Sequence, residues 1–150
     1  MPYKSALLGR VHVVRWESSP QAPDGSRLLT ELETYHRRLG KKLTNLSLVS
    51  NTIAAPEGNE QQEMMRRRHI WTDTCEHVHV VVQGEGFKHA IVRSVIAGIA
   101  IGFTRRGFLE VHRSMAAAVT RIATELDEDA VILRRRISAA VGIDESTLTP

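Results

Sequence analysis

Residues 78–87, VHVVVQGEGF, contain the pattern that decides the fold. The run of valines predicts a buried strand, and Gly84 and Gly86 mark a sharp turn before an apolar helical pattern that begins near Phe87. A strand that leads through a tight turn into a helix is the building unit of α/β proteins. The same succession recurs along the chain.

Three further strands are predicted over Val11–Trp16, Leu43–Val49 and Phe108–His112, in addition to the one over Val78–Val82. Apolar residues at helical spacing follow each strand. The predicted helices run from Ser26 to Leu39 with Gly40 as C-cap, from Pro56 through Cys75, from Phe87 to Phe103, from Ser114 as N-cap to Leu126, and from Asp127 as N-cap to Gly142.

This order predicts one α/β domain over residues 1–150, made of four βα units. Strands that alternate with helices of this length pair in parallel, so we expect a mainly parallel four-stranded sheet flanked by helices. A chain of 150 residues can bury one sizeable core. The tail from about residue 143 is expected to fray.

Composition excludes several classes of protein. An apolar fraction of 42% with 25% charged residues is typical of a globular protein, and no apolar run is long enough to span a bilayer. Cys75 is the only cysteine, which excludes an intramolecular disulfide. No signal-peptide core follows Met1, so a cytoplasmic location is expected. The net charge of +3 is weak and the arginine clusters lack aromatic neighbours, so nucleic acid is not an expected partner.

The second half of the chain resembles STAS domains and the SpoIIAA-like proteins. The resemblance lies in the strand over Val78–Val82 with its glycine turn and apolar helix, and in the strand FLEVH, residues 108–112, followed by the alanine-rich segment SMAAAV, residues 114–119. In element order it extends from about Val11 to Leu126. The Asp-Ser-x-Gly phosphorylation motif of that family is replaced here by SNTI, residues 50–53, so phosphorylation at Ser50 is not implied.

The resemblance implies a regulatory or scaffold module without enzymatic activity that acts through protein contacts, either with a protein partner or as a homo-oligomer. The apolar pattern over Phe87–Phe103 agrees with such a surface, because a helix that is apolar nearly all round is either buried or part of an interface. No cofactor and no catalytic residue are expected on this interpretation.

A small anionic ligand, a nucleotide or a lipid is the alternative partner. Ligands of open parallel sheets bind at the carboxyl ends of the strands, and glycines there can present N–H groups to a phosphate. The candidate residues for such a site are Ser50, Asn51, Thr52, Gly84, Glu85, Gly86 and Lys88.

A metal-dependent enzyme is a third possibility, because His77 and His79 stand two apart on a predicted strand. Their side chains should share one face at a separation of roughly 7 Å. His12 and His112 are placed on strands that are candidates for neighbours, which would add two more imidazoles. No Asp or Cys stands at the flanking strand positions, so no metal is assigned from the sequence.

Overall fold

The computed structural model describes residues 3–17, 22–49, 62, 66–82 and 106–143 of the chain. Strands and helices alternate over most of this length, as the sequence predicts. The strands are β1 (Tyr3–Leu8), β2 (Val11–Trp16), β3 (Leu43–Val49), β4 (Cys75–Val82) and β5 (Leu109–His112). The helices are α1 (Ala22–Leu39), α2 (Arg68–Thr74), α3 (Met115–Leu126) and α4 (Ala130–Val141).

The strands form one mixed sheet of five strands in the order β1-β2-β3-β4-β5, rather than the four-stranded sheet predicted. Strands β2 to β5 pair in parallel with their neighbours along the chain. The register shifts between Leu43 and Thr44, and beyond this irregularity Val13, Leu46, His79 and Glu110 lie in one row across these four strands. Every second residue of β4 and β5 therefore projects from the same face of the sheet.

The additional strand, β1, pairs antiparallel with β2 through a two-residue hairpin turn at Gly9 and Arg10. Gly9 has a φ of 60°, a left-handed conformation that glycine adopts without steric cost. Glycine at the first position of a two-residue hairpin loop is typical of turns that match the twist of the strands. The hairpin adds an antiparallel edge to the parallel sheet.

Helices cover both faces of the sheet, and each face has its own core. Helices α3 and α4 pack on one face, which buries Val11, Val13, Leu46, Leu48, Val81, Met115, Ala118, Val119, Ile122, Leu133, Ile137 and Val141. Helices α1 and α2 pack on the other, which buries Leu29, Leu32, Leu43, Val78, Val80, Val82 and Phe108. Successive residues of a strand point to opposite faces of the sheet. Each polar group described below therefore lies in one or the other of these two cores.

The connection between α3 and α4 differs from the prediction that Asp127 caps the last helix. Asp127 is the left-handed C-cap of α3, with φ 55° and ψ 49°, whereas Asp129 is the N-cap of α4. The Asp129 carboxylate accepts hydrogen bonds from the backbone N–H groups of Val131 and Ile132. The predicted caps Ser114 and Gly142 are confirmed, with Ser114 Oγ accepting from Ala117 N at 3.1 Å.

The helical spacing predicted that Cys75 is the last residue of a helix. In the structure Cys75 is instead the first residue of strand β4. Helix α2 ends at Thr74, because the backbone of Cys75 is extended. The predicted helix over Phe87–Phe103 and the tail from residue 144 onward lie outside the described residues. None of the helices described is long and apolar enough to cross a membrane.

Candidate metal centre

Two histidines of β4 project toward helix α3. His77 and His79 are two residues apart on the strand, and their ring centroids are 6.1 Å apart. The side chain of His79 is completely buried. Polar side chains in such a position require partners, because an unsatisfied buried polar group destabilises the fold by about 1–3 kcal/mol.

Strand β5 supplies the nearest partners of His79. The parallel register places Glu110 beside His79, and His112 follows two residues later on the same face. His79 Nδ1 lies 3.0 Å from His112 Nε2, and the two ring centroids are 5.2 Å apart. The Glu110 carboxylate lies 3.7 Å from His112 Nε2.

Helix α3 contributes Glu125 and Arg121, which are one turn apart. Glu125 Oε2 lies 3.2 Å from His79 Nε2, on the side of the ring that faces away from His112. Arg121 contacts both carboxylates, with its Nη2 3.3 Å from Glu110 Oε1 and its Nε 3.4 Å from Glu125 Oε1. Strands β4 and β5 and helix α3 thus bring six polar side chains to one place, two from each element.

The hydrogen bonds define the tautomer of His79. An ionised carboxylate only accepts hydrogen bonds, so His79 Nε2 must carry the proton that it donates to Glu125. In the neutral ring this leaves the Nδ1 lone pair directed at His112 Nε2. Glu125 therefore orients His79 with an unprotonated nitrogen toward His112.

Burial disfavours the charged form of both imidazoles of this pair. Burial lowers the pKa of His79 from its ordinary value of 6.5, and the Glu125 carboxylate opposes this effect only in part. Burial also lowers the pKa of His112, and the neighbouring His79 lowers it further. A neutral imidazole is the form that ligates metal ions.

The arrangement fits a metal ion between the two rings. The ligand atoms of His79, Glu110 and His112 all lie within 4.8 Å of one another. Two nitrogens bound tetrahedrally to one zinc ion at about 2.0–2.1 Å are about 3.3 to 3.4 Å apart. His79 Nδ1 and His112 Nε2 are 3.0 Å apart, so the two rings would separate slightly to hold the ion. Two histidines with one carboxylate are a ligand set of non-haem iron and zinc sites.

Two buried polar atoms at the same place have no hydrogen-bond partner among the described residues. They are His77 Nδ1 and Glu125 Oε1, the second of which is held by Arg121 in an ion pair without hydrogen-bond geometry. Buried polar side-chain atoms are hydrogen-bonded in the large majority of cases. The side chains described here thus leave two buried polar atoms near the cluster without a hydrogen bond.

The remaining histidine of the predicted group, His12, does not belong to this site. Strands β3 and β4 separate β2 from β5, so the prediction that His12 and His112 lie on neighbouring strands is wrong. His12 also projects from the opposite face, toward α1. Its Nε2 lies 2.9 Å from Glu31 Oε1, and its Nδ1 lies 3.0 Å from the side-chain amide of Asn45.

Both ring nitrogens of His12 have side-chain partners within the protein, and these partners are themselves hydrogen-bonded. Glu31 also accepts hydrogen bonds from Tyr3 and Ser5, and Asn45 Oδ1 accepts one from Ser47 Oγ. Burial alone would raise the pKa of Glu31, but the hydrogen bonds from His12 and Ser5 outweigh it and hold the pKa below 4.5. This network joins helix α1 to three strands and leaves no lone pair of His12 for a metal.

The other candidates from the sequence do not join the cluster. Cys75 is buried on the face toward α1 and α2, and burial raises the pKa of its thiol to about 12. A protonated thiol is a poor nucleophile, and Cys75 lies on the face of the sheet opposite to the histidine cluster. The remaining ligand candidates, Ser50, Asn51, Thr52, Gly84, Glu85, Gly86 and Lys88, lie outside the described residues.

Sequence reasoning missed Glu110 and Glu125 as members of the site, whereas it had named His112 among the histidines that could join it. Glu110 and His112 repeat on β5 the two-residue spacing of His77 and His79 on β4, so the pair of strands carried a signal. Glu125 continues the helical spacing of Ala118 and Ile122, which places a carboxylate in an otherwise apolar stripe.

Comparisons with protein-family models, with curated proteins and with solved structures gave no match for this chain.

Proposed function

We propose that this chain is a metal-dependent protein that binds one divalent transition ion through His79 Nδ1, His112 Nε2 and the Glu110 carboxylate. The observation that carries the proposal is the convergence of these three ligand groups within 4.8 Å on two adjacent strands. Glu125 accepts a hydrogen bond from the other ring nitrogen of His79. Metal-ligating histidines usually donate their other N–H group to a carboxylate or carbonyl in this way.

The donor set selects the class of ion. Imidazole nitrogens suit zinc, iron, copper and nickel, whereas magnesium and calcium prefer oxygen ligands alone. Zinc is the ion we choose for the tests, because it accepts two histidines and a carboxylate without a redox change. Three protein ligands leave a coordination position open, which is the arrangement of catalytic rather than structural zinc sites.

An ion held in this way would act as a Lewis acid toward an oxygen ligand or lower the pKa of a bound water. The protein residues have separate tasks in this proposal. Glu125 fixes the tautomer and orientation of His79, and Arg121 restrains the Glu110 and Glu125 carboxylates. The function proposed is therefore that of a metal-dependent enzyme, which replaces the regulatory module as the leading interpretation.

Calorimetric titration of metal-free protein with zinc chloride tests this proposal. We expect one ion per chain, and a fall in affinity of at least about a hundredfold for His112→Gln and for Glu110→Gln. The matched control is His69→Gln, which removes an exposed imidazole of α2. Zinc binding that is absent, or that is weakened only by the control substitution, would show that the cluster is a hydrogen-bonded part of the core.

A second candidate is the regulatory module predicted from the STAS resemblance, which would act through contacts with a second copy of the chain. It is favoured by Val131 and Ile132, which are 59% and 57% exposed on α4. Val131 also lines a groove of about 350 Å³ between α3 and α4. Light scattering should then give a dimer that Val131→Ser with Ile132→Ser converts to a monomer, and a monomeric unsubstituted protein would contradict this candidate.

A further inference from the structure

Arg121 stands at the outer side of the metal centre. Its side chain is 54% exposed, whereas the side chains of His112 and Glu125 are 13% and 14% exposed. The guanidinium group is held by two carboxylates, Glu110 and Glu125, through its Nη2 and Nε atoms. Neither contact uses Nη1, which carries two further N–H donors.

The charge of the cluster changes sign when a metal ion is bound. Glu110 and Glu125 contribute two carboxylates, Arg121 contributes one guanidinium, and imidazoles that ligate a metal ion are neutral, so the side chains of the loaded site carry a net charge of about −1. A divalent ion brings the total to about +1. The loaded site should therefore attract an anion, which would bind at the open coordination position and to Nη1 of Arg121, the nitrogen that neither carboxylate contacts.

Resting on the proposed metal site, we infer that its ligand is a small oxyanion, a carboxylate or a phosphate, with one oxygen on the ion and a second accepting hydrogen bonds from Arg121. Arginine is suited to this role because its planar fork matches the oxygens of both groups. Arg121 is thus the residue that selects the class of ligand, while His79, Glu110 and His112 hold the ion.

The test uses the full chain in two calorimetric titrations. The first loads metal-free protein with one equivalent of zinc, and the second adds sodium acetate or inorganic phosphate to the loaded protein. We expect both anions to bind the loaded protein and neither to bind the metal-free protein. A preference for one of them would identify the kind of oxyanion.

Three variants separate recognition of the anion from binding of the metal. Arg121→Gln should retain one zinc ion per chain but weaken anion binding by about tenfold or more, since hydrogen bonds from charged donors are the strong ones. Arg121→Lys should retain part of the affinity because it keeps the charge. Arg136→Gln, which removes an exposed arginine of α4, should bind both the ion and the anion normally.

The two proposals fail in different ways. Absence of zinc binding in the first titration overturns the metal site and the oxyanion inference together. Zinc binding without anion binding overturns only the inference, as does an Arg121→Gln variant with the same anion affinity as the unsubstituted protein. Unchanged anion affinity in the Arg121→Gln variant would leave the metal-site proposal intact.

Discussion

The rings of His79 and His112 meet between adjacent parallel strands, with Nδ1 of the first 3.0 Å from Nε2 of the second. The other nitrogen of His79 donates a hydrogen bond to Glu125, so the nitrogen that faces His112 carries a lone pair. A buried histidine could satisfy one nitrogen in this way without any further group. This site differs from the core network around His12, because a second imidazole, that of His112, and a second carboxylate, that of Glu110, lie within reach of one ion.

Glu125 should tune the metal affinity without ligating the ion. Glu125→Gln keeps an acceptor for His79 Nε2 but removes the charge that makes the ring a better ligand, so we expect zinc affinity to fall about tenfold. Calorimetry measures this change, and Glu128→Gln is the matched control because Glu128 is exposed near the same helix end. Equal affinities for Glu125→Gln and the unsubstituted protein would show that Glu125 does not support the ligand.

Glu31 should make the stability of the fold depend on acid pH. Its folded pKa lies below the ordinary value of 4.5, so its carboxylate stabilises the fold above about pH 4.5. That contribution is lost as the pH falls through the folded pKa. Urea unfolding at several pH values between 7 and 3 should show a shallower fall in the free energy of unfolding for Glu31→Gln than for the unsubstituted protein.

Glu33→Gln is the control for this measurement, because Glu33 is exposed on the same helix. It should reproduce the pH dependence of the unsubstituted protein. If Glu31→Gln also reproduces it, the hydrogen bonds from His12 and Ser5 do not stabilise the ionised carboxylate.

Two aspartates between α3 and α4 should respond differently to substitution. Asp129→Ala removes an N-cap that accepts two backbone hydrogen bonds, so a loss of about 1 kcal/mol is expected. Asp127→Gly should change stability by less than about 0.5 kcal/mol or raise it slightly, because glycine adopts the left-handed C-cap conformation more readily. Chemical unfolding distinguishes the two assignments, and the reverse order of effects would restore Asp127 as the N-cap.

The thiol of Cys75 should be inert in the folded protein. Its pKa is raised to about 12 by burial, so it is protonated at pH 8 as well as inaccessible to reagents. We expect no rapid reaction with a disulfide reagent under native conditions and one thiol per chain after unfolding in urea. Rapid native labelling would mean that α2 and β4 separate readily.

Local patterns in the sequence were sufficient to find most elements of the fold. The strands β2 to β5 and the helices α1, α3 and α4 follow from runs of β-branched residues and from helical spacing, because both signals are contained within short segments. Strand β1 was missed because YKSALL has no strong strand signal of its own. It forms by pairing with β2 through the turn at Gly9.

The candidate site was harder to predict because it depends on contacts between distant segments. His77 and His79 were found from spacing along one strand, but their partners depend on the register between β4 and β5 and on the position of α3. Neither is encoded in a local pattern. His12 was misplaced for the same reason, since its strand number along the chain does not reveal that two strands separate it from His112.

The most direct test of the metal centre is a crystal structure of zinc-loaded protein with data collected at the zinc absorption edge. A zinc ion in the proposed centre should give one strong anomalous peak about 2.0–2.2 Å from His79 Nδ1, from His112 Nε2 and from a carboxylate oxygen of Glu110. An anomalous map without a peak at this position, with the 3.0 Å hydrogen bond between the two histidines retained, would contradict it.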